Sequence, residues 1–282
     1  MKGQARAGGD PQELQRRRDA VLSAGTVITG YPAAQQFLLR VGVALRYAST
    51  PGLPLASLYD AFGARADKAS LSHAIRLTNQ LLGEARAIEV HVVAGRVSLV
   101  HRALVPSLYA LVRRGRKLDD LEGLSPRART ALALLRQTAQ VTAGDVRQRL
   151  GLRFDARQDP AYVALGELTR RLLVDRGPFE IPRKGIPYLS TEGYPYHLFH
   201  EAHPELVAAA QGISLGSAAE TFLEAYLNGI VFAGVRKLTT LFGAFLSPTE
   251  IERALAKLSR KGKVTLAGTG QKAIAIAAEG GR

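Results

Sequence analysis

One order of elements recurs three times along the chain, and it limits the fold more than any other feature. In the last copy, Ser247 and Glu250 form the Ser-x-x-Glu pattern of a helical capping box. Apolar residues then recur at helical spacing on one face, and Gly262 is expected to end the helix. The stretches KVTLAG and KAIAIAA alternate apolar residues at a period of two, which predicts a β-hairpin after the helix.

Two further helices are predicted before this unit, over 217–229 and 232–245. The resulting order is helix, helix, capped helix, hairpin. That order is typical of a winged helix-turn-helix, in which the third helix enters the DNA major groove and the hairpin lies near the backbone.

A second copy is predicted from Ser125 onward. Its helices are expected over 125–139, 141–151 and 159–177, with Thr142 as a cap. Its wing is expected over 178–191, as a loose hairpin because this stretch contains three prolines.

A third copy lies near the amino terminus. An amphipathic helix is predicted over 33–48, a short helix over 54–63 and a long helix over 67–85, followed by a hairpin over 88–101. We therefore expect a mainly α chain with small β-hairpins (α+β), made of three tandem winged helix-turn-helix domains. The predicted parts are a basic flexible tail (1–30), winged helix 1 (31–102), a basic linker (103–124), winged helix 2 (125–191), a connecting helix (192–213) and winged helix 3 (214–282).

The charge of the chain favours a polyanionic partner. The net charge is +14 at 282 residues, which points to nucleic acid first. Arginine, alanine and glycine are also what a GC-rich genome encodes in excess, so composition alone leaves the two explanations open. The chain has no cysteine, which excludes disulfides and thiolate zinc sites, and no apolar stretch long enough to predict a membrane span. No secretory signal is evident, and a cytoplasmic, nucleoid-associated location is expected.

Candidate DNA contacts fall into several groups. The long helix of the first unit has an apolar side expected to include Ile75 and a polar side whose arginine and amide side chains suit base edges. Basic residues elsewhere suit phosphates, which position a protein without reading sequence; a solvated basic surface is the alternative. The candidates are Ser72, His73, Arg76, Asn79, Gln80, Arg96, Arg113, Arg114, Arg116, Lys117, Arg170, Arg171, Arg253, Lys257, Arg260, Lys261, Lys263 and Lys272. In the second unit, Asp155, Asp159 and Glu167 would repel a phosphate backbone, which favours a packing or spacing role there.

No catalytic or cofactor site is predicted from spacing. His197, His200 and His203 fall within an arc of one predicted helix, where three histidines can hold zinc, but a docking helix is the favoured interpretation. The stretch GTGQK lies in a hairpin turn without a following helix, so no phosphate-binding loop is expected. We expect neither a metal nor a cofactor.

The second and third units together resemble one known family. The stretches VTAGDVRQRLG and ALGELTRRLLVDRG, with FLEAYLNGIVFAGVRKLTTLFG and EIERALAKLSRKGKV, resemble the winged-helix bacterial DNA glycosylases that unhook interstrand crosslinks. The resemblance covers roughly residues 125 to 265. It implies a DNA-binding scaffold. The family's paired glutamines around one residue, Gln-x-Gln, do not occur in this sequence, so no catalytic residue is carried over.

The expected function is binding of double-stranded DNA by tandem winged helices, in repair, chromosome architecture or transcriptional control. Two alternatives stay open: a glycosylase relative that acts on damaged DNA, and a winged-helix scaffold that binds a protein partner. The sequence favours a non-enzymatic role without deciding the question.

Overall fold

The computed structural model describes residues 10–22, 27–49, 52–155, 158–178 and 194–278. Helices and short strands alternate along these residues, and the strands form three separate small sheets. The predicted α+β class is therefore confirmed. Most of the predicted wing over 178–191 lies outside the described residues, as do residues 1–9 of the predicted tail.

A helix, α1 (Pro11–Val21), lies within the predicted flexible tail, so the structure differs from that prediction. The Asp10 side chain caps this helix, and Leu14 is buried in a small apolar cluster with residues of the carboxy-terminal part of the chain. The Arg18 guanidinium lies 3.6 Å from the centre of the Phe232 ring. This docking surface, far away in the sequence, explains why local composition did not reveal the helix.

The first unit begins with α2 (Tyr31–Val41), shorter than the predicted 33–48. Gly42 follows with φ +68°, a left-handed conformation that ends the helix and turns the chain into a strand. The remaining elements are β1 (Val43–Leu45), β2 (Ala56–Ser57), α3 (Leu58–Ala61), α4 (Lys68–Gly83), β3 (Ala87–Val93) and β4 (Arg96–His101). The sheet has the order β2-β1-β4-β3, in which β1 pairs antiparallel with β4, and β4 with β3.

The predicted basic linker contains a buried helix, α5 (Val105–Arg113). Val105, Leu108 and Leu111 are buried in the largest apolar core of the protein, so this segment is part of the packed structure. Arg114 ends the helix in a left-handed conformation, with φ 48°.

The second unit consists of α6 (Pro126–Leu135), α7 (Ala143–Leu150), α8 (Pro160–Arg170), β5 (Val174–Arg176) and β6 (Tyr196–Leu198). Thr142 and Asp145 form a full capping box on α7, as the predicted cap at Thr142 requires. The predicted connecting helix over 192–213 is wrong for 196–198, which form a strand antiparallel to β5. The partner strand lies about twenty residues earlier, so local periodicity does not show the pairing. Two short helices follow, α9 (Phe199–Ala202) and α10 (Pro204–Ala210).

The third unit consists of α11 (Leu215–Ile230), β7 (Phe232–Gly234), α12 (Val235–Phe242), α13 (Pro248–Arg260), β8 (Val264–Ala267) and β9 (Ile274–Ala277). Its sheet has the order β7-β9-β8, entirely antiparallel. The predicted capping box of Ser247 and Glu250 and the predicted hairpin are confirmed. The predicted helix over 232–245 is wrong at its start, because Phe232–Gly234 pair with β9 instead.

The first and third units share one core. On the sheet of the first unit, Ala87 and Leu99 face that unit's own helices, whereas Ile88, Val90 and Val100 belong to the core of α5 and the third unit. Both faces of the sheet are thus covered, which is why every residue of β3 is buried. The second unit has a separate core and packs through α8 and β5 on β3.

Candidate nucleic-acid interface

The polar face of α4 is built by an ordinary amphipathic helix. Asp67 caps the helix by accepting a hydrogen bond from Ser70 N at 2.7 Å, and this bond holds the pKa of Asp67 below its usual value. Ala74, Leu77 and Leu81 pack inward. The main packing partners of α4 are α2, α3 and β3, all in its own unit.

The five predicted side chains of α4 lie together along this helix, but they differ in exposure. Ser72, Arg76 and Gln80 are exposed, and His73 and Asn79 are half-buried. The Ser72 hydroxyl donates to the backbone carbonyl of Lys68 at 3.0 Å, and Gln80 Nε2 donates to Glu84 Oε1 at 2.9 Å. These two side chains are therefore engaged within the helix.

His73 is held at both ring nitrogens. Its Nε2 lies 2.8 Å from the Thr29 carbonyl oxygen, and its Nδ1 lies 2.6 Å from Arg76 Nη2. A carbonyl oxygen only accepts, so Nε2 carries the hydrogen in this contact. Nδ1 then accepts from the Arg76 guanidinium.

The apolar side of α4 differs from the prediction at one position. Ile75 was expected to be buried, but 43% of its surface is exposed, whereas Leu77 is buried. Ile75 and Arg76 are adjacent in the sequence, and both are exposed.

A buried charged centre lies between the first and second units, and it was not predicted from the sequence. Glu89 in β3 accepts hydrogen bonds from Arg46, directly after β1, and from Arg176 in β5. All three side chains are buried. Tyr194 lies between the two guanidiniums, 5.1 Å from that of Arg46 and 4.2 Å from that of Arg176, measured to the ring centre.

This centre connects to α4. Arg46 Nη2 lies 3.5 Å from Asn79 Oδ1 and 3.3 Å from the Tyr194 hydroxyl. Asn79 is therefore tied to the centre on its inner side. The available signal was a charged residue inside an apolar strand, Glu89 within AIEVHVV, because such a charge is retained only when it is paired.

Protonation in the centre follows from burial and charge. Burial alone would raise the pKa of Glu89, but Arg176 and Arg46 outweigh it and hold that pKa far below its ordinary value. Burial raises the pKa of Tyr194 to about 12. His91 Nε2 and Arg176 Nη2 are buried without a hydrogen-bond partner among the residues that the structure describes.

The predicted basic residues of the third unit are exposed, and they lie on α13 or follow it in the chain. Lys257 and Lys261 pair with Glu220, at 3.0 and 2.6 Å, so their charges are partly compensated. Lys263 lies 3.3 Å from Glu224. No acidic side chain in the described ranges forms an ion pair with the three remaining predicted cations, Arg253, Arg260 and Lys272.

The basic run after α5 divides between the interior and the surface. Arg113 is buried, and its guanidinium donates to the backbone carbonyls of Arg116, Lys117 and Arg171. The structure therefore places the Arg113 side chain inside the protein, where it cannot reach a phosphate. Arg114 makes a two-pronged ion pair with Glu250, at 2.9 and 2.8 Å. Both Arg116 and Lys117 are exposed, as is Arg96 at the start of β4.

The third helix of the second unit is less accessible than α4. Tyr162 of α8 contacts the buried centre by accepting from Arg176 Nη1 at 3.2 Å, and α8 packs on β3. Arg170 is exposed, and Arg171 is half-buried and bonds the Glu122 carbonyl. The acidic side chain of Asp159 is buried in an ion pair with Arg147. This helix is thus used largely for packing.

The three candidate histidines do not converge. His197 lies in β6, His200 in α9, and His203 bonds Asp175 at 2.9 Å. Within the described ranges, no group of three or more His, Asp or Glu side chains is placed to hold a metal ion. Among the same residues, no single helix is long and apolar enough to cross a membrane. The helices Pro204–Ala210 and Leu215–Ile230, bent by 115° relative to each other, together have the length and composition of a span.

Comparison with known proteins shows a similar fold in one solved structure and no match in sequence. No protein-family model and no curated protein sequence matches the chain. Among solved structures, the chain is similar to the DNA glycosylase AlkZ of Streptomyces sahachiroi, with a TM-score of 0.56 and 14% identity, over 96% of this chain and 70% of that chain. This likeness shows a common fold and confirms the scaffold resemblance, which extends well beyond residues 125 to 265.

Proposed function

We propose that the protein binds double-stranded DNA through three winged helix-turn-helix units. The single observation that carries the proposal is the repeated topology. In the first and third units, the strand after the first helix pairs with the last strand, and the third helix precedes the hairpin. In the second unit, Val141 makes the corresponding bridge with Tyr196. This repeated order matches the winged-helix arrangement, in which the third helix enters a groove, and it supports the proposal.

The exposed faces of α4 and α13 supply the contacts in this proposal. On α13, the uncompensated Arg253 and Arg260 would bind phosphates. On α4, Arg76 would reach base edges. Meanwhile, α8 packs between the first and second units, which accounts for its half-buried Tyr162 and the nearby acids. The fold of a DNA glycosylase over nearly the whole chain supports the same role.

Fluorescence anisotropy with a labelled duplex of about 30 base pairs tests the proposal. Binding should weaken steeply with salt, with the slope of log K against log[salt] reporting several neutralised phosphates. The double variant Arg253→Ala/Arg260→Ala should make the slope shallower by roughly two phosphates. The matched control is Arg16→Ala/Arg65→Ala, which removes two exposed arginines already paired with Glu13 and Asp60.

Two results would oppose the proposal. Weak binding at low salt would favour the protein-interaction scaffold. An equal loss of slope in the control would mean that the net charge acts without a defined surface.

A second candidate is excision of a damaged base, favoured by the fold shared with a DNA glycosylase. Glu89 is poorly suited to activate a water molecule, because it is fully buried and saturated by two arginines. Incubation of the protein with alkylated duplex, followed by strand cleavage at abasic sites, distinguishes the candidates. Enzyme-dependent release of a base would make the protein a glycosylase; intact DNA under conditions of saturated binding supports a non-enzymatic role.

A further inference from the structure

We infer that Arg76 reads guanine in the DNA major groove, and that His73 does not contact DNA but holds the Arg76 guanidinium in place. This inference rests on the proposed function and deepens it. It names one base, and it assigns different roles to His73 and Arg76, which were both candidate DNA contacts in the sequence.

The contacts of the α4 side chains single out Arg76. Ser72 and Gln80 are engaged with their own helix, and Asn79 is tied to Arg46. Arg76 is exposed, and its one partner among the contacts described is His73 Nδ1. Among the five candidate side chains, Arg76 is therefore the exposed one that keeps most of its donors available.

A guanidinium can still make a bidentate contact when one of its hydrogens is bonded to His73. Arginine has five N–H donors, and the bond to His73 uses one of them. The remaining donors can address guanine O6 and N7 together, the pair of acceptors that arginine recognises best in the major groove. Asparagine or glutamine would instead be needed for the corresponding contact with adenine.

His73 supplies the preorganisation. Its Nε2–H is fixed on the Thr29 carbonyl, so the ring cannot rotate without losing that bond. The lone pair of Nδ1 then points at Arg76 and restricts a side chain that would otherwise lose considerable rotamer entropy on binding. Both ring nitrogens are used inside the protein, which leaves His73 no hydrogen bond for a base.

Ile75 offers a second kind of contact on the exposed surface of α4. It is 43% exposed and immediately precedes Arg76 in the sequence. An exposed apolar side chain on this helix suits the methyl group of a thymine.

Base analogues test this inference directly. In a labelled mixed-sequence duplex, every guanine is replaced either by 7-deazaguanine, which lacks the N7 acceptor, or by inosine, which keeps N7 and O6 and lacks only the minor-groove amine. The wild-type protein should lose affinity by about fivefold or more with 7-deazaguanine. It should bind the inosine duplex like the parent.

Variants separate reading from positioning. Arg76→Ala should bind the guanine and 7-deazaguanine duplexes equally. His73→Lys should also lose the preference, because an ammonium repels the guanidinium, yet its added charge should steepen the salt dependence. His73→Asn, whose carbonyl oxygen can replace Nδ1 as acceptor, should retain most of the preference. Thermal melts of each variant show that the fold is kept.

The outcomes are distinct. If the wild-type protein binds the guanine and 7-deazaguanine duplexes equally, with a steep salt slope, the guanine inference is overturned and DNA binding is left intact. A His73→Lys variant that still prefers guanine would overturn the positioning role. Absence of binding to every duplex would overturn the proposed function itself.

Discussion

Glu89 of the first unit is joined to Arg176 of the second by a hydrogen-bonded ion pair that does not reach solvent. Arg46 completes the group from the same unit as Glu89. Such buried groups contribute little net stability compared with apolar packing, but they are costly to break. The relative placement of the two units is therefore sensitive to one carboxylate.

Glu89→Gln should destabilise the protein by about 3–5 kcal/mol, because it leaves two buried guanidiniums without a counter-charge. Denaturant unfolding measures the change. Glu13→Gln is the control: the Glu13–Arg16 pair is largely exposed, and its loss should cost at most about 1 kcal/mol. Equal effects of the two substitutions would show that the centre does not hold the units together.

Stability should fall in acid more strongly for the wild type than for Glu89→Gln. The pKa of Glu89 is lowered in the folded protein, so its contribution is complete above the unfolded pKa of about 4.3 and is lost as pH falls below it. Thermal melts from pH 7 to pH 3 measure this difference. Parallel curves for the two proteins would contradict the prediction.

Gly229→Ala should destabilise the packing between the first and third units. A Cβ at Gly229 would lie 2.3 Å from the Val41 carbonyl oxygen, which is backbone and cannot move aside alone. We expect a loss of about 1–3 kcal/mol or more in the free energy of unfolding, because the α2–α11 contact must open.

Gly216 provides the matched control on the same helix. A Cβ there would meet only the end of the Lys257 side chain, at 3.5 Å. Gly216→Ala should therefore leave stability unchanged or raise it by up to about 1 kcal/mol. A larger loss at Gly216 than at Gly229 would show that the α2–α11 crossing is not the tight contact described.

Arg18→Ala should release α1 from the third unit. Arg18 stacks on Phe232 and donates to the Ile230 carbonyl at 2.9 Å. The alanine variant loses both contacts. Limited proteolysis should then cleave within residues 10–22 faster than in the wild type. Arg16→Ala, whose side chain is 78% exposed, should be cleaved at the wild-type rate.

Short sequence patterns predicted the features that depend on residues close together in the chain. The capping box at Ser247, the cap at Thr142 and the glycine at 262 each act within a few residues, and the structure has all three features. The short strand at Phe232–Gly234 was read as helix, because three residues carry little periodicity and their partner is β9.

The partners of Glu89 in the buried centre could not be predicted from such local signals. Arg46 lies 43 residues from Glu89, and Arg176 lies 87 residues from it, so only the folded chain brings them together. The same holds for Arg113, which reads as a basic linker residue and is a buried donor to three carbonyls. On α4, in contrast, the predicted polar residues do lie along one helix, but only the contacts distinguish His73 from Arg76.

The core shared by the first and third units has a consequence for synthesis on the ribosome. Ile88, Val90 and Val100 share a core with side chains of α11 and α12, which leave the ribosome long after them. One face of the first sheet therefore has only part of its core, including α5, available while the second unit is made and closes its own core. The nascent chain is expected to depend on chaperones during that interval, and the middle unit is expected to be the first to reach its final packing.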